Sequence, residues 1–413
     1  MNKTIFLFFL LSASLLSVAQ SKRVVGYLPT YRFGSNYSIE YCKVTHLNVC
    51  FANPDSNGKL QIDDFSAISK RAKEQNPNII ISISLGGGVL TALQMQTWAN
   101  IINIPVNRPA FISEIIGFVE LYNIDGVDFD LEWDAVTKGY SDFVIELKDS
   151  LRFHNILLTA ALPANYRYPL ITDKALAAFD YINIMAYDKT GPWAPNNPGQ
   201  HSSFEFAEQA ISFWKSQGVK SEKLNLGVPF YGYNFDNQND VFGFSYATIV
   251  NANILNADTD QVGKGYYNGR PTIERKVELA AENTGGIMIW ELAQDRFDEY
   301  SLLSAIHNWF TFLGNKTTGL CGNTVSADKI TDKKFRVYPN PAFKNLYIES
   351  KGGKEINASI FNLLGERLNI FPEKRFNKLV MNVSEINDGI YILIVESPNF
   401  HQSTKIAIIG NSN

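Results

Sequence analysis

Between Asp125 and Trp133 the chain reads Asp-Gly-Val-Asp-Phe-Asp-Leu-Glu-Trp, with four carboxylates within eight residues. A β-strand has a period of two, so Asp128, Asp130 and Glu132 share one face while Phe129 and Leu131 share the other. If the apolar face meets a layer of helices, the acids point into an interior where like charges are costly, and one or more of them should hold a proton. A protonated carboxyl beside other acids suits general acid catalysis on a bond whose leaving group needs a proton, and Glu132, at the end of the run, is the natural acid. Two plainer readings fit less well. A calcium loop needs glycine at its sixth position, where this stretch has Asp130, and Phe129 and Leu131 are wrong for a solvated loop. A solvated edge strand would not be flanked on both sides by helix-patterned segments.

The elements that must position these acids recur along the chain. Eight apolar, β-branched runs stand at Val24–Leu28, His46–Ala52, Ile79–Leu85, Gly126–Trp133, Ile156–Ala161, Tyr181–Tyr187, Leu224–Pro229 and Gly286–Trp290. Helix-like stretches lie between them, among them Phe111–Tyr122, Tyr140–Phe153, Phe204–Gln217 and Ile273–Asn283. Strands alternating with helices predict an α/β fold, and eight of them predict a (β/α)8 TIM barrel over residues 20–313. An open doubly wound sheet would be expected to carry a nucleotide-binding glycine turn, and Gly86-Gly87-Gly88 has neither the G-x-G-x-x-G spacing nor a Walker lysine. In a barrel, a carboxyl at a strand's C-terminal end is where catalytic groups sit. Residues 314–334 are polar and aperiodic and read as a linker, and residues 335–413 show five strand-like runs between turn signals, which predicts a small antiparallel β-sandwich.

Residues 1–19 carry Lys3, an apolar run from Ile5 to Leu16 and Ser17-Val18-Ala19, the pattern of a secretory signal peptide. No later segment has the 18 consecutive apolar residues of a membrane span. A net charge of -4 without a basic run argues against nucleic acid. Cys42, Cys50 and Cys321 are too few for a disulfide framework; a Cys42–Cys50 bridge is one possibility, and Cys50 reads better as a small packed side chain. The five histidines lack the spacing of a zinc site, so no metal or cofactor is expected. Gly243-Phe244-Ser245-Tyr246-Ala247 has the outline of a nucleophile elbow, but no strand is expected before it and no histidine pairs with it.

Asp125-x-x-Asp128-x-Asp130-x-Glu132 resembles the D-x-x-D-x-D-x-E signature of family 18 glycoside hydrolases, the chitinase family. Ser84-Leu85-Gly86-Gly87 resembles its S-x-G-G ending of the third strand, Met185-Ala186-Tyr187-Asp188 its M-x-Y-D at the sixth, and Gly286 to Glu291 its eighth-strand motif. The resemblance implies a secreted hydrolase of β-1,4 linkages between N-acetylglucosamine residues, retaining and substrate-assisted, with the substrate's acetamido oxygen as nucleophile. It implies Glu132 as acid/base, Asp130 as the residue that holds the acetamido group, Asp128 as its modulator and Tyr187 at the acetamido oxygen. Asp188, Met185 and Trp290 would bind sugar. Tyr27 and Phe51, near strand ends, and Trp193, on a loop after the sixth strand, are further stacking candidates for a sugar's apolar face. Trp98, Trp214 and Trp309 read as packing residues in helices.

Many family members carry a long insertion between the last two strands, whereas here Tyr233–Thr284 is 52 residues including a helix, so the groove wall is shortened. An endo-β-N-acetylglucosaminidase acting on N-glycans shares the motif and mechanism and is the alternative activity. A non-catalytic chitin-binding lectin is the alternative outside catalysis, although such relatives usually lack the glutamate that is present here as Glu132. The tail, with Phe335-Arg336-Val337-Tyr338-Pro339-Asn340-Pro341 at its start and Asn387-Asp388-Gly389-Ile390-Tyr391 late, resembles the type A sorting domain of the type IX (Por) secretion system. That resemblance implies passage through the periplasm and export by the type IX machinery; a carbohydrate-binding module is the alternative for the tail.

Overall fold

Eight parallel strands form a closed barrel, in a computed structural model that describes residues 21–35, 37–315, 317, 335–350, 355–362, 366–375, 378–397 and 400–409. The expected leader at 1–19, most of the expected linker and Cys321 lie outside the described residues. The strands are β1 (Arg23–Pro29), β2 (His46–Pro54), β3 (Ile80–Gly87), β4 (Gly126–Leu131), β5 (Leu157–Pro163), β6 (Tyr181–Met185), β7 (Leu224–Pro229) and β8 (Gly286–Trp290), and the helices around and after them are α1 (Ser66–Gln75), α2 (Ala92–Asn103), α3 (Arg108–Tyr122), α4 (Tyr140–Arg152), α5 (Asp173–Ala178), α6 (Phe204–Ser216), α7 (Tyr246–Ala252), α8 (Arg270–Asn283) and α9 (Leu302–Phe312). Each pairs in parallel with the next, and β1 pairs with both β2 and β8.

The period of two is visible in what each side chain touches. Val24 and Leu28, Val127, Phe129 and Leu131, and Ile287 and Ile289 belong to the apolar layer between barrel and helices. Val25, Tyr27, Cys50, Tyr181 and Met288 fill the interior. On β4 that alternation turns Phe129 outward, where it meets Tyr140 and Phe143 of α4 (Tyr140–Arg152) and the edge of Trp98 on α2 (Ala92–Asn103). Helix α4 buries Phe143, Val144, Leu147 and Leu151, the 3.6-residue stripe that a helix packed on a sheet requires. Helix α2 starts at a capping box in which Thr91 accepts from the Gln94 amide and Gln94 returns the bond, which fixes where the chain leaving β3 turns into helix. Trp98 and Trp214 are fully buried and hydrogen-bonded through their indole N–H to Asn53 Oδ1 and the Pro163 carbonyl.

One local expectation is corrected. A strand, Phe242–Ser245, does lead to the serine of Gly243–Ala247 and takes in the first three residues of that stretch; it is part of a four-stranded antiparallel sheet inserted between β7 and helix α8 (Arg270–Asn283). Ser245 there caps the short helix Tyr246–Ala252 by accepting from the Thr248 amide at 3.1 Å, so its hydroxyl serves the helix end. Cys42 and Cys50 are not joined to each other, and Cys50 is buried inside the barrel.

The tail is a sandwich of a four-stranded and a three-stranded antiparallel sheet. Leu346, Ile348 and Met381 from the first face Ile360, Leu393, Val395 and Ile406 from the second in a core of their own. The sequence did not predict two strands of the larger sheet. One is Glu373–Arg375, an exposed edge whose three charged residues carry no apolar alternation; the other is Phe335–Tyr338, which carries the contact to the barrel. Arg336 lies 4.3 Å from the ring of Trp309 on helix α9 (Leu302–Phe312) and 3.9 Å from that of Tyr338, and it pairs with Glu274 of α8.

Candidate active site

Asp128, on β4, is fully buried, and the register gives it its partners: Ser84 of β3 and Thr159 of β5 stand directly opposite. Oδ2 accepts from the Ser84 hydroxyl at 2.8 Å and the Tyr27 hydroxyl at 2.7 Å, and Oδ1 accepts from Thr159 Oγ1 at 2.5 Å and Asn183 Nδ2 at 3.4 Å. Behind Tyr27 runs a chain whose polarity is set at its far end. Arg23 can only donate, and its Nε–H goes to Asn225 Oδ1 at 2.9 Å. Asn225 Nδ2 therefore donates to Asn183 Oδ1 at 2.9 Å, and Asn183 Nδ2 donates to the Tyr27 oxygen at 3.0 Å, which leaves the Tyr27 proton for Asp128. These donors favour the ionised carboxylate, but burial outweighs them and the Asp128 pKa is raised.

Asp130, two residues on, has the same orientation and different surroundings. It is nearly buried, and its Oδ1 has no hydrogen-bond partner among the described residues. Burial first, and then the charges of Glu132 and Asp128, hold its pKa well above the ordinary carboxylate range. Strand β4 ends at Leu131, so Glu132 extends from the rim as a half-buried residue. Its pKa is pushed up to about 7, mainly by burial and secondarily by the charge of Asp188. The loop after β3 makes room for it: a Cβ on Gly88 would stand 2.7 Å from Glu132 Oε1. One residue earlier, Gly87 has a φ of +99° and a Cβ there would strike the Phe51 ring at 2.7 Å.

From the end of β6 come Tyr187 and Asp188. The buried Tyr187 hydroxyl donates to Met288 Sδ at 3.7 Å, and burial together with Asp188, Asp130 and Glu132 keeps its pKa well above 10. Asp188 has a φ of +62° and is part-exposed to the groove. Its Oδ1 accepts from the hydroxyls of Tyr231 at 2.5 Å and Tyr233 at 3.0 Å.

Asp130, Glu132, Tyr187 and Asp188 line one groove of about 1140 Å³ at the C-terminal end of the barrel, together with Tyr27, Met185, Phe51, Trp290 and Trp193, whereas Asp128 is fully buried and does not line it. The rings of Phe51 and Trp290 stack at 5.7 Å. Trp193 is 59% exposed, its ring lies over Gly191, where a Cβ would meet it at 2.6 Å, and its edge meets Tyr233. Tyr27 differs from the stacking role expected of it. It is 1% exposed, its ring is tilted against Trp290 at 5.6 Å and its hydroxyl belongs to Asp128, so it holds an acid in place. Sequence reasoning missed Trp133, which has a φ of +50° and is 62% exposed on the groove, and also Tyr31 and Tyr166. All three follow a barrel strand by two or three residues, and that position was the available signal. Among the described residues, no three His, Cys, Asp or Glu side chains are grouped to hold a metal ion.

Residues 23–295 match the model of Glycosyl hydrolases family 18, and residues 336–409 match the Secretion system C-terminal sorting domain. The chain is similar to the crystal structure of the GH18 chitinase ChiB from the chitin utilization locus of Flavobacterium johnsoniae, at 57% identity and a TM-score of 0.72, over 75% of this chain and 100% of that one. It is also similar to a chitinase structure from Bacteroides thetaiotaomicron, at 29% identity and a TM-score of 0.61, over 70% and 97%. Chitinase 1 of Aphanocladium album is 27% identical over 57% of this chain, and Chitinase A1 of Niallia circulans is 26% identical over 70%. The chain spans 66% and 58% of those two relatives' lengths. On the match over the whole barrel, the chain belongs to glycosyl hydrolases family 18.

Proposed function

We propose that the chain is an exported chitinase that hydrolyses β-1,4 linkages between N-acetylglucosamine residues with retention of configuration, using the substrate's acetamido group as nucleophile. The observation that carries this reading is Asp130: a buried carboxyl with an unpartnered oxygen, beside a glutamate whose pKa is pushed up to about 7. An acetamido N–H satisfies such an oxygen, and a neutral glutamic acid can donate to the glycosidic oxygen. In the first step the Glu132 proton passes to that oxygen, the acetamido oxygen bonds to the anomeric carbon and the bond to the leaving sugar breaks. The resulting oxazolinium is positive, and in this reading Asp130 and Tyr187 hold it. In the second step Glu132, now ionised, takes a proton from water. The water oxygen bonds to the anomeric carbon on the face the leaving sugar vacated, the bond to the acetamido oxygen opens, and the product is β. Trp290, with Phe51 stacked on it, offers an apolar face to a sugar ring, and Asp188 is open to its hydroxyls. The relatives named as chitinases support the substrate class, and the sorting domain supports export by the type IX route.

The test is the product distribution from defined chitooligosaccharides, followed by NMR at early times. The β-anomer, with no cleavage where the residue at the cleaved position is glucosamine, is the expected result. An initial α-anomer, or ready cleavage after glucosamine, overturns the mechanism. Release of N-glycans from a glycoprotein without attack on chitin overturns the substrate.

A further inference from the structure

His201 is fully buried, and the proposed mechanism gives it no task. Its Nε2 lies 3.2 Å from the carbonyl oxygen of Tyr231, which can only accept, so Nε2 carries a proton in both charge states of the ring. Its Nδ1 is 3.3 Å from the Asp188 backbone nitrogen and 3.3 Å from Asp188 Oδ1. In the neutral ring Nδ1 accepts from the Asp188 amide, and in the imidazolium it donates to the Asp188 carboxylate. Asp188 therefore has a partner on this ring in either state. A left-handed backbone at a residue other than glycine is held by its surroundings, and this ring is the group that reaches the Asp188 backbone amide.

The histidine is itself fixed from both sides. The rings of Tyr231 and Tyr233 each lie 5.0 Å from it. Next in sequence, the Ser202 hydroxyl donates to the Ala186 carbonyl at 2.6 Å, one residue before Tyr187. The Ser202 carbonyl accepts from the buried Lys276 ammonium at 2.7 Å and from Asn268 Nδ2 at 2.9 Å. Helix α8 and the insertion thus clamp the two residues that grip the end of β6.

We propose that His201 is a positioning residue of the reaction, holding Asp188 in the left-handed conformation that aims its charge at Glu132. This rests on the reading of Asp188 as part of the site. The groups facing Glu132 are Asp130 from its own strand, Asp188 and Tyr187 from β6, and Tyr168 after β5; the groups facing His201 are Asp188, Tyr231 and Tyr233.

Three variants and one measurement on the unaltered chain test it. His201→Asn places an amide near the Nδ1 position and still reaches Asp188, whereas His201→Gln places one near Nε2 and reaches only the Tyr231 carbonyl. With a soluble chromogenic chitooligosaccharide, His201→Gln is expected to lose roughly 10- to 100-fold in kcat, the scale of a misplaced catalytic group. KM should change much less, and the alkaline limb of the kcat/KM–pH profile should move to lower pH. His201→Asn should retain most of the kcat at a similar melting temperature. Equal losses in the two variants, tracking stability alone, overturn the proposal. Asp188→Asn separates the two readings: wild-type kcat there removes Asp188 from the site, whereas impaired Asp188→Asn beside unimpaired His201→Gln removes only His201. In the unaltered protein, nitrogen NMR should find the His201 proton on Nε2, facing the Tyr231 carbonyl, and a ring protonated at Nδ1 alone overturns the proposal.

Discussion

Glu132 must be neutral when it protonates the leaving oxygen and ionised when it activates water, and its surroundings set that balance. Burial and the Asp188 charge both raise its pKa, to about 7, so the acid form is lost as pH rises through that value. kcat/KM measured against pH is expected to fall on the alkaline side near 7. Asp188→Asn removes a negative charge and lowers the Glu132 pKa, so its alkaline limb should lie at lower pH, and an unmoved limb would show that the charge does not reach Glu132. Glu132→Gln should keep oligosaccharide binding and lose on the order of 10²- to 10⁴-fold in kcat. Tyr27→Phe removes a donor from Asp128 and the Asn183 amide's acceptor. A loss of about 1–3 kcal/mol in urea unfolding is expected, with a lower kcat. The acids were legible as a set from their spacing. The role of Tyr27 was not, because a ring near a strand end looks the same whether it faces a sugar or turns its hydroxyl inward.

At the scale of elements, one strand does two jobs: β4 packs Phe129 into the helices and presents its acids to the interior. Phe129→Ala removes the ring that Trp98, Tyr140 and Phe143 all contact and should cost about 3–5 kcal/mol in denaturant unfolding. The loop after β3 acts on chemistry by what it lacks. Gly88→Ala would place a methyl within 2.7 Å of Glu132 Oε1 and should leave the melting temperature nearly unchanged while lowering kcat by about tenfold or more. Unaltered kcat would mean that Glu132 works from another rotamer. The eight strands and the longer helices were legible because their apolar residues repeat at 2 or 3.6. The short insertion strands were not, since Gln261–Val262 and Gly265–Tyr266 are too brief to show any period.

For the whole molecule, a barrel and a sandwich with separate cores meet at Arg336, held between Trp309 and Tyr338 and paired with Glu274. Arg336→Ala leaves the half-buried Glu274 without that partner. If a protease site is inserted between the domains and cut, the tail should co-elute with the barrel in the parent chain and separate in the variant. A chain ending at Leu313 should hydrolyse chitin as the full chain does and remain inside the native cell. By itself the sequence determined the alternation of strands and helices, the acids on one strand face and the apolar residues on the other, and the compositional break before the tail. These are local properties, set by backbone geometry and residue type within a few positions. Tertiary structure alone decided that Asp128 is gripped by Tyr27, Ser84 and Thr159, which lie 101, 44 and 31 residues away. It also decided that Asp188 is held left-handed against His201, and that Trp133 opens to the groove while Tyr27 closes beneath Trp290. Those partners meet only when barrel closure and strand register bring distant side chains to one layer, and residue type alone does not specify which of several hydroxyls or rings will arrive there.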